Sequence, residues 1–145
     1  MITVLVLNGP NLNRLGTREP DVYGTGTLDD LREQLADAAG DLSIDLRQSN
    51  DEAELIGWLH EAVDAGAPVI LNPAAFTHYS YALRDAAAQI THAGLVLVEV
   101  HLSNPYAREA FRHTSVIGAV ATGTVAGFGF DSYRLALDAV ARRTA

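Results

Sequence analysis

The sequence contains no cysteine and no lysine. The absence of cysteine excludes disulfide bonds, thiolate nucleophiles, zinc–cysteine sites and iron–sulfur clusters. The absence of lysine excludes enzymes that hold a carbonyl substrate as a Schiff base, because no side-chain amine exists to form the adduct. All 10 basic residues are therefore arginines, which can bind an anion if a few of them converge on one pocket.

Positive charge and long apolar runs are also scarce. There are 18 acidic residues against 10 basic ones, for a formal net charge of -8. A nucleic-acid binder usually needs a basic face, so we expect no nucleic-acid partner. No stretch approaches the roughly 18 apolar residues of a membrane span. The apolar start at residues 1–7 lacks the basic region of a signal peptide. We therefore predict a cytoplasmic protein with no membrane partner.

The length of 145 residues and the hydrophobic content of 48% predict one globular domain over residues 1–145. Strand-length apolar runs alternate with segments of helical periodicity, which predicts a parallel sheet with helices on both faces. We predict an α/β fold, a flavodoxin-like three-layer αβα sandwich with strand order 2-1-3-4-5. The predicted strands cover residues 2–7, 43–48, 68–72, 94–101 and 116–121. The predicted helices cover residues 28–39, a segment ending at residue 65, and residues 79–89 and 131–143. Thr27 is the predicted N-cap of the first helix, and Ser49 with Glu52 is a possible capping box for the second. A short helical turn is predicted over residues 107–113.

Polar residues follow three of these strands, at the edge where ligands bind in open parallel sheets. Glu99 and His101 are the most informative pair, because residues two apart on a strand point to the same face. A carboxylate beside an imidazole fixes its tautomer and stabilises its protonated form, which makes a competent general acid. The alternative is a partly exposed strand end with two unrelated polar residues.

The loop that follows the first strand contains Arg14, Arg18 and Tyr23. A tyrosine has a pKa of roughly 10, and lowering it by about three units takes roughly 4 kcal/mol. Two arginines in a closed, water-poor site could supply that stabilisation and make the phenolate a base. The alternative is an ordinary surface loop with scattered charge.

Arg108 and Arg112 lie four residues apart. On the predicted helix over residues 107–113 they would share one face beside His101 and suit a polyoxygenated anion. The alternative is a solvated pair partnered by Glu109.

Together these features resemble the type II 3-dehydroquinate dehydratase family, and the likeness covers nearly the whole chain. The matching stretches are residues 7–12 (LNGPNL), 16–20 (GTREP) with 23–24 (YG), 47–50 (RQSN), 70–73 (ILNP) with 77–78 (TH), 82–86 (ALRDA), 99–104 (EVHLSN), 108–109 (RE) with 111–112 (FR), and 121–123 (ATG). The resemblance implies conversion of 3-dehydroquinate to 3-dehydroshikimate by anti elimination through an enolate, without a metal or organic cofactor.

The resemblance also implies roles for individual residues. Tyr23 would be the base, held as phenolate by Arg18 with help from Arg108, and Asn11 would stabilise the enolate through a water. His101, oriented by Glu99, would protonate the departing hydroxyl. The residues implied in substrate binding are Asn72 and the backbone N–H groups of Leu102 and Ser103 at the carboxylate, and His78 and Arg112 at the ring hydroxyls.

Assembly is implied by the resemblance alone: a homododecamer built as a tetramer of trimers, in which Asp85 reaches a neighbouring subunit's site. One departure stands out, because Ala74 and Ala75 occupy positions where the family usually has at least one glycine. If either backbone needs a positive φ, alanine strains it.

Other functions are compatible with the fold class. A flavodoxin-like module could bind a flavin or accept a phosphoryl group, but the strand ends lack an acidic pair and a phosphate-type loop. A metal hydrolase could use His78, Glu99 and His101, although these lack the helical spacing of common zinc sites. A catalytically inactive relative is the third alternative, and every proposed catalytic position is filled.

Overall fold

The computed structural model describes residues 1–17, 19–23 and 25–145, with Tyr23 described by its backbone only. The strands are β1 (Thr3–Asn8), β2 (Ser43–Gln48), β3 (Val69–Asn72), β4 (Leu97–His101) and β5 (Gly123–Ala126). The α-helices are α1 (Pro20–Tyr23), α2 (Leu28–Ala38), α3 (Glu52–Ala65), α4 (Tyr81–His92) and α5 (Phe130–Thr144). Short 3-10 turns lie at Leu12–Arg14, Ala74–His78, Pro105–Ala107 and Ala110–His113.

The five strands form one parallel sheet with the order β2-β1-β3-β4-β5, as predicted. The register brings the last residue of β1, Asn8, level with Gln48 of β2 and Asn72 of β3. The polar strand ends therefore meet at one edge of the sheet, which we call the rim.

Each face of the sheet is covered by two helices. One apolar layer joins α2 and α5 to Val4, Val6 and Ile70, and the other joins α3 and α4 to Leu5 and Leu71. Alternate residues of a buried strand point into opposite layers, which explains why the strands read as continuous apolar runs. The αβα sandwich is thus confirmed.

The predicted fifth strand over residues 116–121 is wrong, because these residues form turns. Val120 N and Ala121 N donate hydrogen bonds back to the carbonyl of Ile117, at 3.0 and 3.1 Å. Ile117 is fully buried against the α3 and α4 layer, so the apolar run reflects burial beneath a turn. A short apolar run cannot be assigned to a strand by hydrophobicity alone, and the strand forms later, at Gly123–Ala126.

The helix starts are partly as predicted. Thr27 caps α2 in a reciprocal capping box with Asp30. The box predicted from Ser49 and Glu52 is wrong: Asp51 is the N-cap of α3, and its carboxylate accepts from Ala53 N at 2.9 Å. Ser49 instead accepts from Asp51 N at 2.9 Å, so it supports the cap from two residues earlier. No helix among the described residues is both long enough and apolar enough to cross a membrane.

Candidate active site

The loops that follow β1 and β3 lie in close contact at the rim. Gly9 N donates to the carbonyl of Asn72 at 2.8 Å. A Cβ atom at Gly9 would lie 2.7 Å from the carbonyl oxygen of Pro73, so only glycine permits this approach. The contact fixes the start of the loop that carries Asn11.

Asn11 is held at the rim by its backbone. It has a φ of 70°, a left-handed conformation that asparagine tolerates better than most residues. Its N–H donates to Asn50 Oδ1 at 2.9 Å, and Gln48 Nε2 donates to the same oxygen at 3.2 Å. The Asn11 side chain makes no capping hydrogen bond to the 3-10 turn that follows it, and it lines a pocket at the rim.

Glu99 and His101 form the pair that their spacing on β4 predicted. His101 Nε2 lies 2.6 Å from Glu99 Oε2. The Glu99 side chain is fully buried, whereas the His101 side chain keeps 13% of its surface exposed. The imidazole therefore separates a buried carboxylate from an open pocket, and the alternative of two unrelated polar residues is wrong.

Two hydroxyl groups complete the surroundings of Glu99. Thr77 Oγ1 donates a hydrogen bond to Glu99 Oε2, and Ser115 Oγ donates to Oε1 at 2.9 Å. Gly118 N donates to Ser115 Oγ at 2.9 Å, which aims the serine's own proton at the carboxylate. We call Thr77, Glu99, His101 and Ser115 the Glu99 cluster.

The Glu99 cluster keeps its carboxyl group ionised. Burial alone would raise the pKa of Glu99, but the hydrogen bond and charge of His101 and the bonds from Thr77 and Ser115 outweigh burial and lower it. The carboxylate contacts His101 Nε2 directly and so fixes the orientation of the imidazole ring. Neither Thr77 nor Ser115 was predicted as a partner of Glu99. The only signal was the position of Thr77 in the matching stretch 77–78.

A small pocket of about 80 Å³ opens in front of His101. Most of the side chains predicted to form the site line it: Asn11, Asn72, His78, His101, Leu102, Ser103, Arg108 and Arg112. Pro10, Leu12, Ala74, Ala75 and Pro105 supply the apolar part of its wall. The pocket thus combines a few convergent polar groups with an apolar lining, as small-molecule sites do.

Arg108 and Arg112 both line this pocket, but the backbone that carries them differs from the predicted one. The short helical turn predicted over residues 107–113 is confirmed only at Ala110–His113, because Arg108 is extended, with φ -124° and ψ -162°, and separates two 3-10 turns. Pro105 starts the first of these turns, which ends before the arginine. The two guanidinium groups still converge, since both residues line the same pocket.

The alternative view of these arginines was a solvated pair partnered by Glu109. Arg112 Nε donates to Glu109 Oε2 at 2.9 Å, and this hydrogen bond lowers the pKa of Glu109. The side chains of Arg108 and Arg112 are nevertheless only 14% and 18% exposed, against 54% for Glu109. The carboxylate thus lies on the solvent side, and the arginines form the pocket wall. Arg108 Nη1 also donates to Ser103 Oγ at 3.3 Å.

Asn72 is bound to a residue from the far end of the chain. Its Nδ2 donates to Tyr133 Oη at 2.8 Å, and Tyr133 Oη donates to Asn8 Oδ1 at 2.6 Å. Asn72 Oδ1 accepts from Ala74 N at 3.1 Å. All three side chains are buried, and burial raises the pKa of Tyr133, so its hydroxyl stays protonated. No feature of the sequence pointed to Tyr133.

Ala74 has the positive φ that the family's glycine suggested. Its φ is 52°, in the left-handed region, whereas the φ of Ala75 is not positive. A Cβ atom in that region costs about 1–2 kcal/mol relative to the right-handed one. The backbone strain expected for an alanine with a positive φ is therefore present at Ala74 but not at Ala75.

The predicted residue Asp85 does not line the pocket. Asp85 lies on α4 with an exposed side chain that accepts from Arg84 Nη1 at 2.9 Å. Arg18 and the Tyr23 side chain lie outside the described residues, so their predicted roles are not tested by the structure.

A larger cleft of about 750 Å³ lies on the other side of Ser103 and Arg108. Its α2 wall carries Asp30, Glu33 and Asp37, whose carboxylates would repel an anion. The smaller pocket is therefore the better site for an anionic ligand. In the part of the chain that the structure describes, no group of three or more His, Asp or Glu side chains is arranged to hold a metal ion.

Comparison with known proteins gives one consistent result. A family model described as dehydroquinase class II matches residues 2–141. The 3-dehydroquinate dehydratase of Salinispora tropica is 58% identical over 142 residues, which cover 97% of each chain. That of Bacillus licheniformis is 57% identical over 136 residues, or 92% of each chain. The crystal structure of type II dehydroquinase from Propionibacterium acnes superimposes with a TM-score of 0.93 at 47% identity, over 98% of this chain and 97% of that one.

Proposed function

Because this chain belongs to the class II dehydroquinase family, we propose that it dehydrates 3-dehydroquinate with His101 as the general acid. The protein is a 3-dehydroquinate dehydratase, a hydro-lyase of the shikimate pathway. The observation that carries the acid assignment is the 2.6 Å contact between His101 Nε2 and Glu99 Oε2. It couples the one imidazole of β4 to an ionised, buried carboxylate.

Substrate binding would use the cationic and amide groups of the pocket. The substrate carries a carboxylate and several hydroxyl groups on a ring. Asn72 and the backbone N–H groups of Leu102 and Ser103 would bind the carboxylate, and His78 and Arg112 would contact the hydroxyls. Support comes from the common location of these residues around one pocket.

Proton removal would start the reaction. Tyr23, as a phenolate held by Arg18 and Arg108, would take a proton from the carbon beside the ketone. The electron pair of the broken C–H bond would move onto the ketone oxygen and form an enolate. Asn11, through a water, would stabilise that oxygen. The base assignment rests on the family likeness, and the position of Arg108 at the pocket wall is consistent with it.

Loss of the hydroxyl would complete the elimination. The enolate electrons return to form the C=C bond, the C–O bond breaks, and the leaving oxygen takes a proton from His101 and departs as water. Because Nε2 faces Glu99, Nδ1 is the ring nitrogen left to donate that proton. The proton held by Tyr23 then returns to His101 through solvent, so the cycle needs no external acid or base.

We also propose an oligomeric state for the protein. From the family likeness we infer a cytoplasmic homododecamer, a tetramer of trimers in which Asp85 reaches a neighbouring active site. The exposure of Asp85 and of Tyr81 one turn earlier on α4 supports an interface there. Sedimentation should give a mass near twelve chains, and a monomer at assay concentration would contradict it.

A dehydration assay on 3-dehydroquinate tests the proposal directly. The product contains a conjugated enone, so its formation is followed by ultraviolet absorbance. We expect turnover that survives a strong chelator, and a loss of kcat of about 10²–10⁴-fold in His101→Ala. His60→Ala, an exposed histidine on α3, is the matched control and should keep wild-type activity. A His101→Ala enzyme that retains kcat would contradict the acid assignment.

A further inference from the structure

Tyr133 is the one residue of α5 that makes hydrogen bonds to polar strand ends at the rim. Its side chain is fully buried, and its hydroxyl lies between Asn8 at the end of β1 and Asn72 at the end of β3. Its neighbours on the same face of α5, such as Ala136, Leu137 and Val140, are apolar core residues. A buried phenol needs partners for its oxygen, and both of these partners belong to the rim.

The direction of each hydrogen bond in the series that joins Asn8, Tyr133 and Asn72 is fixed. Asn8 Nδ2 donates to the carbonyl of Arg47 at 3.0 Å, so Asn8 Oδ1 is the atom that faces Tyr133. The single hydroxyl proton of Tyr133 is donated to that oxygen. The phenol oxygen can then only accept, and the atom of Asn72 that faces it must be the donor Nδ2.

These bond directions determine which polar group of the Asn72 amide faces the pocket. Its Oδ1 accepts from Ala74 N, and one of its two Nδ2 protons goes to Tyr133. The second Nδ2 proton is the only polar group of the amide left without a partner among the described residues, and Asn72 lines the pocket. A carboxylate would be attracted by that N–H and repelled by the oxygen of a reversed amide.

We propose that Tyr133 is a positioning residue that fixes the Asn72 amide so that it presents an N–H to the substrate carboxylate. This inference rests on the proposed function, in which Asn72 binds that carboxylate. Tyr133 touches no reacting atom, so it should act on binding more than on the chemical step. Loss of uniform binding raises KM with little change in kcat.

Tyr133→Phe removes only the hydroxyl group. We expect KM for 3-dehydroquinate to rise about tenfold with kcat within about twofold, since one hydrogen bond to a charged group is lost or misdirected. The dissociation constant of quinate, a ring carboxylate without the reacting ketone, should rise by the same factor in calorimetry. Val140→Ala on the same helix face is the control: it loses core packing but should keep wild-type KM.

Asn72→Ala and the double variant decide whether Tyr133 acts through Asn72. Asn72→Ala should raise KM by at least as much, and adding Tyr133→Phe should raise it no further. An unchanged KM and quinate affinity in Tyr133→Phe, a loss confined to kcat, or additive effects in the double variant would overturn the inference. A wild-type protein that binds quinate but does not dehydrate 3-dehydroquinate would contradict the proposed function instead, and the quinate affinities would still test Tyr133.

Discussion

One wall of the pocket is organised around a charge and the adjacent wall around neutral side chains. On the β4 side, the Glu99 cluster surrounds an ionised carboxylate with hydroxyl groups and an imidazole. On the side of β1 and β3, Asn8, Tyr133 and Asn72 form a buried chain with no ionised member. The two walls meet at the same pocket, which both His101 and Asn72 line.

The difference indicates a division of tasks. A buried charge with well-placed donors acts on the group that transfers a proton, so the charged wall should govern kcat. A neutral chain of fixed hydrogen-bond order controls only orientation, so the amide wall should govern affinity. This division would be contradicted if substitutions in the charged wall changed mainly KM and substitutions in the amide wall changed mainly kcat.

The largest effect should follow from removing the charge at Glu99. Glu99→Gln keeps the shape of the side chain but removes the negative charge that His101 Nε2 contacts. We expect kcat to fall roughly 100-fold, within the range of general acid catalysis, while KM stays near that of the wild type. Steady-state kinetics measure this, and Glu54→Gln on the exposed face of α3 is the control. A tenfold or larger rise in KM with full kcat would reverse the assignment of the charged wall.

An intermediate effect should follow from removing one donor to Glu99. The lowered pKa of Glu99 in the folded protein adds stability above its unfolded pKa of about 4.3, and this stability is lost as the pH falls through the folded pKa. Ser115→Ala removes a donor and raises the folded pKa. The free energy of unfolding of the variant should therefore be about 1–2 kcal/mol lower than that of the wild type at pH 7. This difference should disappear at acidic pH, where Glu99 is protonated in both proteins.

Denaturant unfolding of wild type and Ser115→Ala between pH 3 and pH 8 measures this difference. Ser43→Ala, whose serine lies on β2 and forms no bond to Glu99, should show no such pH dependence. A deficit of Ser115→Ala that is the same at every pH would mean that the serine contributes packing only.

The smallest effect should come from Ala74, whose N–H donates to Asn72 beside the amide wall. Ala74→Gly should relieve the left-handed strain at φ 52° and stabilise the protein by about 0.5 kcal/mol, after the entropy of glycine in the unfolded chain is subtracted. Ala75→Gly gains no such relief and should destabilise by about 0.5–1 kcal/mol. Chemical denaturation midpoints distinguish the two, and two shifts of the same sign would show that backbone strain is not the cause.

The sequence predicted the parts of the site that depend on local periodicity. Glu99 and His101 share a face because residues two apart on a strand always do, and Asn72 reaches the rim because β3 ends there. The parallel order of the sheet also followed from the alternation of strands and helices. These inferences needed only the period of each element.

The remaining features depend on contacts between distant segments. Ser115 meets Glu99 from 16 residues away and Tyr133 meets Asn72 from 61 residues away, distances over which no periodic pattern carries information. The turn over residues 116–121 resembled a strand because its apolar residues are buried under the α3 and α4 layer. Arg108 and Arg112 converge although no helix joins them, since two short turns produce the same result.

Steady-state kinetics of Glu99→Gln, His101→Ala and the double variant test the central claim most directly, namely that the buried carboxylate of Glu99 acts through His101. The double variant should lose no more kcat than His101→Ala alone, because Glu99 would then act only through the imidazole that it contacts. Losses of kcat that multiply in the double variant would contradict the claim.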